Sequence, residues 1–202
     1  MQLLFATTNP AKIAQYRQPL AAHDIELITL ADLDFRLNVE ESGQTATDNA
    51  HIKARAYYDA THLPTLGMDN CLYIEELPAA LQPDTHVHRI NGRELNDDEM
   101  ISYYTDLVAQ YGGRLTAAWH YSLAIHSDAG SADFSWQTKP FYLISRPSPL
   151  RRPGYPLDSI SISPELNQYF TELPDTDSTL SKTPRTTDDI IQFILGHLQP
   201  SD

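Results

Sequence analysis

LLFATTNPAK, the stretch Leu3–Lys12, decides how the fold of this chain begins. It opens with a continuous apolar run, Leu3–Ala6, which is typical of a strand buried on both faces. Thr8, Asn9 and Pro10 follow, and they combine a side-chain cap with a residue that has no amide hydrogen. The stretch therefore predicts a strand whose carboxyl end leads straight into a helix that begins at about Pro10.

The start of this helix has the chemistry of an anion site. The first amides of a helix have no partner within it, and we expect them to be free here. Together with the positive end of the helix dipole and the ammonium of Lys12, they favour a phosphate. An ordinary strand, turn and helix with a surface lysine has the same pattern, so this stretch alone does not decide between the two interpretations.

The composition describes an acidic globular chain. Its 202 residues suffice for one domain, with or without two lobes, and 41% of them are apolar and 20% charged. Fourteen lysines and arginines against 27 acids give a net charge of −13, which argues against nucleic acid or an anionic membrane as the main partner. A small anionic ligand would need a local basic pocket or a divalent cation.

The cysteine content and the hydropathy of the chain indicate the cellular compartment in which we expect it. The only cysteine is Cys71, so the chain can form neither an internal disulfide nor a multi-cysteine zinc site. The sequence has no stretch like a signal peptide and no apolar run near the ~20 residues that a membrane span needs. We therefore expect a cytoplasmic protein without membrane contact.

The remaining pattern alternates helices and strands. We expect Ile13 and Leu20 to face inward on the first helix, with Pro19 bending or ending it early. In a helix from about Thr47, capped by Thr45 or Thr47, Ile52 and Ala56 form a thin apolar stripe. The other predicted elements are a strand at 26–30, an extended segment near Asp69, a helix at 97–111, an antiparallel hairpin of strands 115–125 and 132–144, and a terminal amphipathic helix at 188–198.

Candidate chemical groups are spread along the chain. The basic and hydrogen-bonding ones are Thr7, Asn9, Lys12 and Lys53, with Arg151, Arg152, Lys182 and Arg185 further on, and the acids are Glu40 or Glu41 and Asp69. Carboxylates beside lysines suit Mg²⁺ bound together with a polyphosphate, since magnesium takes one or two protein carboxylates plus phosphate oxygens and water. The set suggests hydrolysis of a nucleotide, although each residue alone also fits a local structural role.

Three blocks in order resemble one family. ATTNPAK (6–12), VEESGQTATDNAHIKARA (39–56) and LPTLGMDNCL (63–72) are similar to the inosine triphosphate pyrophosphatase family, whose members hydrolyse deaminated purine nucleoside triphosphates to the monophosphate and pyrophosphate. The middle block is the most specific, because it follows the family pattern E-x-G-x-T-x-x-x-N-A-x-x-K-A-R from Glu41 to Arg55. Arg89 matches an arginine before a family glycine.

The resemblance implies an α/β fold: a long twisted mixed sheet flanked by helices, with two lobes of one domain (1–202) around a central nucleotide cleft. It implies Mg²⁺ on Glu41 and Asp69, with Asp69 also activating the water, and a homodimer. The substrate contacts that it implies are Thr7, Thr8, Asn9, Lys12, Lys53, Asn70, Gly154, Tyr155, Lys182 and Arg185.

The chain departs from the family at several of these positions. Met68 replaces the acid before the catalytic aspartate, and Asn70-Cys71 replaces serine-glycine. In the base-recognition loop, PGYPLD (153–158) keeps the glycine and the aromatic residue but moves the aspartate to Asp158 or loses it. Ser181-Lys182-Thr183, with Arg185 as a substitute, stands where the family has S-H-R. These changes predict an altered or relaxed base preference.

Three functions remain open at this stage. The first is a Mg²⁺-dependent nucleoside triphosphate pyrophosphatase. The second is a nucleotide-binding protein that has lost catalysis, which Met68 and the altered loops favour, whereas the retained Glu41 and Asp69 favour the enzyme. The third is a structural protein that uses only the inherited fold.

Overall fold

A computed structural model describes residues 1–90, 92–173 and 184–198. Its helices are α1 (Pro10–Ala21), α2 (Ala46–Thr61), α3 (Asp97–Gln110) and α4 (Pro184–Leu198). Its strands are β1 (Gln2–Phe5), β2 (Glu26–Thr29), β3 (Thr65–Ile74), β4 (Arg89–Ile90), β5 (Arg93–Glu94), β6 (Arg114–Ser127), β7 (Gly130–Gln137), β8 (Phe141–Ile144) and β9 (Ser161–Ile162). Within these described ranges, no helix combines the length and the apolar character needed to cross a membrane.

The main sheet is mixed. Its strand order is β2-β1-β3-β6-β8-β9, with β7 also pairing with β6, and β4 and β5 form a separate small sheet. Strand β1 is parallel to both β2 and β3, whereas β8 is antiparallel to both β6 and β9. The α/β class with a mixed sheet and flanking helices is therefore confirmed.

The chain divides into two compact units. The first comprises Met1–Asn70, Tyr121–Trp136 and the segment from Pro184, and the second comprises Cys71–His120 and Gln137–Thr183. A core of buried side chains that includes Tyr104, Phe141 and Phe170 fills the second unit. The expectation that residues 1–202 form one domain with two lobes stays a prediction.

The strand-to-helix junction forms as predicted in the first unit. Leu3, Leu4 and Phe5 are completely buried, and Asn9 caps α1 with its side-chain oxygen while Pro10 occupies the first helical position. The helix ends at Ala21, two residues after Pro19, which fits the expected early end, and a bend at Pro19 stays a prediction. Pro19 lies in the last turn, where its missing amide removes only a terminal helical hydrogen bond.

The buried face of α2 differs from the predicted stripe. Ile52 and Ala56 are only half-buried, and the face that packs inward carries Ala46, Asn49, Ala50, Ala54 and Tyr57. Small side chains are needed there because the helix lies directly against β3 at Gly67. A Cβ atom added at Gly67 would lie 2.0 Å from the Ala50 carbonyl oxygen and 2.8 Å from the Ala54 nitrogen.

We expect Gly67→Ala to lower the free energy of unfolding by about 3 kcal/mol, since the added methyl group meets backbone atoms that cannot turn away. Urea unfolding followed by circular dichroism measures the change. Gly196→Ala in α4 is the matched control, because a Cβ there meets nothing within 4 Å and alanine is the better helix former. Equal stability of the two variants would contradict the tight packing of α2 on β3.

The segment predicted as one strand over 132–144 is two strands, β7 and β8. Residues 138–140 separate them, and Pro140 has no amide hydrogen with which to continue a ladder. Thr138 instead pairs with Trp119 across the interruption: its amide donates to the Trp119 carbonyl at 2.9 Å, and its hydroxyl accepts from the Trp119 amide at 3.1 Å.

Candidate active site

The first group of predicted site residues lies between β1 and α1. The Thr7 hydroxyl accepts a hydrogen bond from the Asn9 amide at 3.2 Å, and Thr8 is exposed. Lys12, one turn into α1, donates from its ammonium to the Asn70 side-chain oxygen at 2.9 Å. Lys12 and Asn70, which are far apart in sequence, therefore meet in the first unit.

The expectation of free amides at the start of α1 is wrong. The Asn9 side-chain oxygen accepts from the amides of Ala11 and Lys12, at 2.9 and 3.4 Å, and the Asn9 carbonyl accepts from Ile13. Pro10 has no amide hydrogen, so the cap itself occupies the donors of the first turn. Lys12 and the hydroxyl groups of the preceding loop are then the groups in this segment that can meet a phosphate.

The second group of site residues converges on one ammonium. Lys53 Nζ lies 3.1 Å from Asp69 Oδ1 and 3.4 Å from Glu41 Oε2. Asp69 stands in the middle of β3, a ten-residue strand, rather than at the end of an extended segment. The Lys53 and Asp69 side chains are nearly buried, 14% and 11% exposed, whereas Glu41 is 45% exposed. The arrangement leaves Glu41 as the member of the group that is most accessible to solvent.

Asn49 is a site residue that sequence reasoning did not select. It is 1% exposed, donates from Nδ2 to Asp69 Oδ2 at 3.0 Å, and accepts on Oδ1 from the Gly43 amide at 2.8 Å. One side chain thus holds both the carboxylate of Asp69 and the loop that carries Glu41. The signal was its spacing from Lys53, because residues four apart share one face of a helix.

A second set of hydrogen bonds, at the start of α2, closes the loop that begins at Glu41. Thr45 caps the helix by accepting from the Asp48 amide at 3.1 Å, and the Asp48 carboxylate accepts from the amides of Thr45 and Gln44 at 3.0 and 3.2 Å. This reciprocal cap fixes the chain immediately before the helix that carries Asn49 and Lys53.

We expect Asn49→Ala to lower the free energy of unfolding by about 2 kcal/mol, because it leaves a buried carboxylate oxygen and the Gly43 amide without their partner. Urea unfolding measures the loss. Asn38→Ala, at an exposed asparagine, is the control and should leave stability within about 0.5 kcal/mol of the parent. An Asn49→Ala protein as stable as the control would show that the bridge contributes nothing to the fold.

The donor set fits a hard divalent cation bound together with a ligand. Glu41 and Asp69 both point a carboxylate oxygen at the Lys53 ammonium. A metal ion bound near that ammonium would therefore meet two carboxylates. Among the described residues there is no group of three or more histidines, cysteines or acids arranged to hold a metal. Mg²⁺ takes one or two carboxylates from a protein when phosphate oxygens and water complete its shell, so this pair is sufficient.

Comparison with known proteins identifies the family. The model of the Ham1 family matches residues 3–181. The chain belongs to the Ham1 family. A dITP/XTP pyrophosphatase of Leptospira interrogans is 27% identical over 195 residues, 96% of each chain, and one of Aquifex aeolicus is 39% identical over 77 residues, 38% of this chain and 37% of the relative.

Solved structures show the same fold. The Ham1 protein of Staphylococcus aureus superposes with a TM-score of 0.77 at 20% identity, covering 98% of this chain and 100% of that one. A HAM1 protein of Coxiella burnetii gives 0.76 at 23% identity, covering 97% and 99%. The resemblance stated from the sequence is confirmed, and by name the curated relatives are hydrolases of acid anhydrides.

Two positions distinguish this chain within β3. Met68 is buried at 2% exposure, where the Ham1 resemblance expects an acid. Side chains alternate along a strand, so Met68 and Asn70 lie on the face opposite to Asp69. Asp69 therefore contacts α2 through Asn49 and Lys53, while Asn70 contacts Lys12 of α1.

Of the remaining predicted residues, Gly154 and Tyr155 belong to the second unit and Arg185 belongs to the first. Gly154 has a φ of +79°, and Tyr155 directly precedes the 3-10 turn Pro156–Ser159. Burial raises the pKa of the Tyr155 phenol, and the negative charge of Asp158 adds to the effect. Lys182 lies outside the described residues, and Arg185 stands in the first turn of α4.

Two of the candidate basic residues, Arg151 and Arg152, make local contacts within the second unit. Arg152 donates to Asp158 at 2.7 Å and to the Leu173 carbonyl at 3.0 Å. Arg151 donates to the carbonyls of Ser148 and Leu150. These contacts are the local structural role that the sequence left open for both residues.

Proposed function

We propose that this chain is a Mg²⁺-dependent nucleoside triphosphate pyrophosphatase that releases pyrophosphate and a nucleoside monophosphate, with deaminated purines such as ITP or XTP among its substrates. The observation that carries the proposal is the convergence of Glu41 and Asp69 on Lys53. The names of the curated relatives, dITP/XTP pyrophosphatases, support the same reaction and substrate class.

Each residue of the site has a role in this reaction. The ammonium groups of Lys12 and Lys53 would neutralise phosphate oxygens of the bound triphosphate. Glu41 and Asp69 would hold Mg²⁺, which supplies Lewis-acid polarisation of the phosphate when it is bound. The Asp69 carboxylate would orient a water molecule and accept its proton as the water attacks the α-phosphorus.

A changed base preference is part of the proposal. The Asp158 carboxylate is bonded to Arg152, and its side chain is only 16% exposed, so it is engaged with protein rather than presented to a base. Tyr155 keeps an aromatic ring in this loop, and stacking on a ring is worth about 1–3 kcal/mol for any base. Both features support selection by stacking more than by a specific carboxylate contact.

The test is pyrophosphate release from a panel of inosine, xanthosine, guanosine and pyrimidine triphosphates, with and without Mg²⁺. The proposal predicts turnover that requires Mg²⁺ and extends beyond ITP and XTP. A folded protein that is stabilised against heat by a nucleotide but consumes none would be the catalytically impaired binding protein instead. Neither turnover nor stabilisation would remove both functions.

We propose a homodimer on the family resemblance, and a cytoplasmic location because a chain with one cysteine is compatible with a reducing compartment. Light scattering coupled to gel filtration measures the molar mass in solution. A mass of one chain, 22.8 kDa, across the whole concentration range would reject the dimer.

A further inference from the structure

On the face of α2 that points away from Asn49 and Lys53, His51 forms a histidine pair with His126 of β6. His51 lies half a helical turn from both of those site residues. Its Nδ1 lies 3.2 Å from Nε2 of His126 on β6, and its Nε2 lies 3.1 Å from the Asp133 carboxylate on β7. The two rings meet edge to face, with an interplanar angle of 89°. One histidine thus connects the site helix to two neighbouring strands.

The contact between the two rings requires one hydrogen atom. Two facing ring nitrogens at hydrogen-bond distance need one donor and one acceptor. The Asp133 carboxylate is an acceptor, so His51 donates to it from Nε2 and its neutral Nδ1 then accepts from His126 Nε2–H. One added proton keeps this contact. A proton added at His126 Nδ1 leaves Nε2–H donating to His51, and a doubly protonated His51 donates to the bare Nε2 of the other neutral His126 tautomer. A second added proton leaves two N–H groups facing each other at 3.2 Å and breaks it.

The charged neighbours of the pair come from three elements. Arg55 and Asp59 lie further along α2, and Tyr58 of the same helix donates to Asp128 at 2.6 Å in the turn between β6 and β7. Asp133 is the acid from β7. Burial lowers the pKa of His126 from its ordinary value of 6.5; His51 and Arg55 lower it further, and Asp59 opposes them.

We propose that the histidine pair is an acid-sensitive contact. It holds the face of α2 that carries His51 on β6 and β7 while one hydrogen atom lies between His51 Nδ1 and His126 Nε2, and it separates when both rings are charged. At neutral pH this helix is held through Asn49 and Lys53 on one face and through the histidine pair on the other. In acid the second face keeps the Tyr58–Asp128 and Thr47–Ser122 hydrogen bonds but loses the contact between the two rings. This inference does not depend on the proposed function, because it concerns only the packing of α2.

The direction of the pH effect follows from linkage. The unfolded chain protonates His126 at its ordinary value of 6.5, and the folded chain protonates it at lower pH. Between those two values the unfolded chain binds more protons, so stability falls as the pH drops below about 6.5. One such group raises the unfolding equilibrium constant by at most about tenfold per pH unit.

The first test compares urea unfolding between about pH 8 and about pH 5 for the parent, His126→Gln and His23→Gln. Glutamine at 126 supplies an amide donor at the position of Nε2 but does not titrate, and His23 is an exposed histidine elsewhere. The acid-side loss of stability should be smaller in His126→Gln by up to tenfold per pH unit in the equilibrium constant and unchanged in His23→Gln. The same pH dependence in all three proteins would overturn the proposal.

The second test is a histidine titration by NMR, which needs no stable His126 variant. In His51→Gln the midpoint of His126 should move to higher pH, because a facing ring that can carry charge has been removed. An unchanged midpoint would show that the two rings do not share a proton, and it would reject the proposal even if the unfolding data were ambiguous.

Discussion

We expect Asp69→Asn to lower the rate of pyrophosphate release by about 10³-fold, the size typical of removing a general base. Both carboxylate oxygens of Asp69 are engaged, one by the Lys53 ammonium at 3.1 Å and the other by the Asn49 amide at 3.0 Å. Asparagine keeps the size and one acceptor oxygen but loses the charge that would bind Mg²⁺ and accept a proton from water. The fold should survive, because the change is nearly isosteric.

A steady-state assay with saturating nucleotide and Mg²⁺ measures this loss, and circular dichroism checks the fold. The matched control is Asp59→Asn, which removes an exposed acid on α2 whose ion-pair partner is Arg55 at 3.6 Å. Its turnover should equal that of the parent. Parental turnover in Asp69→Asn would mean that another group activates the water.

We expect Lys53→Met to lower kcat/KM by about 10²-fold, the size typical of losing one preorganised electrostatic contact to the reacting phosphate. Lys53 lies between Glu41 Oε2 and Asp69 Oδ1, so its removal leaves two carboxylates without their shared cation. Triphosphate binding should weaken, and KM should rise more than in Asp69→Asn, where kcat carries the effect.

Initial rates over a range of nucleotide concentrations separate the two parameters. Arg55→Met is the control: it removes a cation from the same helix, but that side chain is 73% exposed and pairs only weakly with Asp59. If Lys53→Met changed KM no more than Arg55→Met does, Lys53 would hold Asp69 in place without contacting the nucleotide.

The sequence predicted those parts of the site that depend on neighbouring residues. The buried run Leu3–Phe5, the Asn9 cap and the Thr45 cap are local features, and each is where the pattern put it. The pattern also selected Lys53 and Asp69, but their contact depends on how closely α2 approaches β3. The distance between α2 and β3 is set by Gly67 and by Ala50 and Ala54 opposite it. Hydrophobic periodicity does not predict such close packing of small residues.

The features that the sequence missed have two causes: a local cap at the start of α1, and tertiary contacts at Asn49 and His51. The amides at the start of α1 are occupied by the same Asn9 whose cap was predicted, so a cap and a free anion site could not both form there. Asn49 was visible in the pattern, but its role needs both Gly43 and Asp69 as partners. The histidine pair joins residues 75 apart in sequence, and no local spacing predicts it.

The central claim is that Glu41, Asp69 and the Lys53 ammonium between them direct a water molecule at the α-phosphorus of a nucleoside triphosphate. Hydrolysis of ITP in oxygen-18-labelled water, with both products analysed by mass spectrometry, tests it most directly. The account predicts one label in the monophosphate and none in the pyrophosphate. Label in pyrophosphate, or release of orthophosphate with a nucleoside diphosphate, would contradict it.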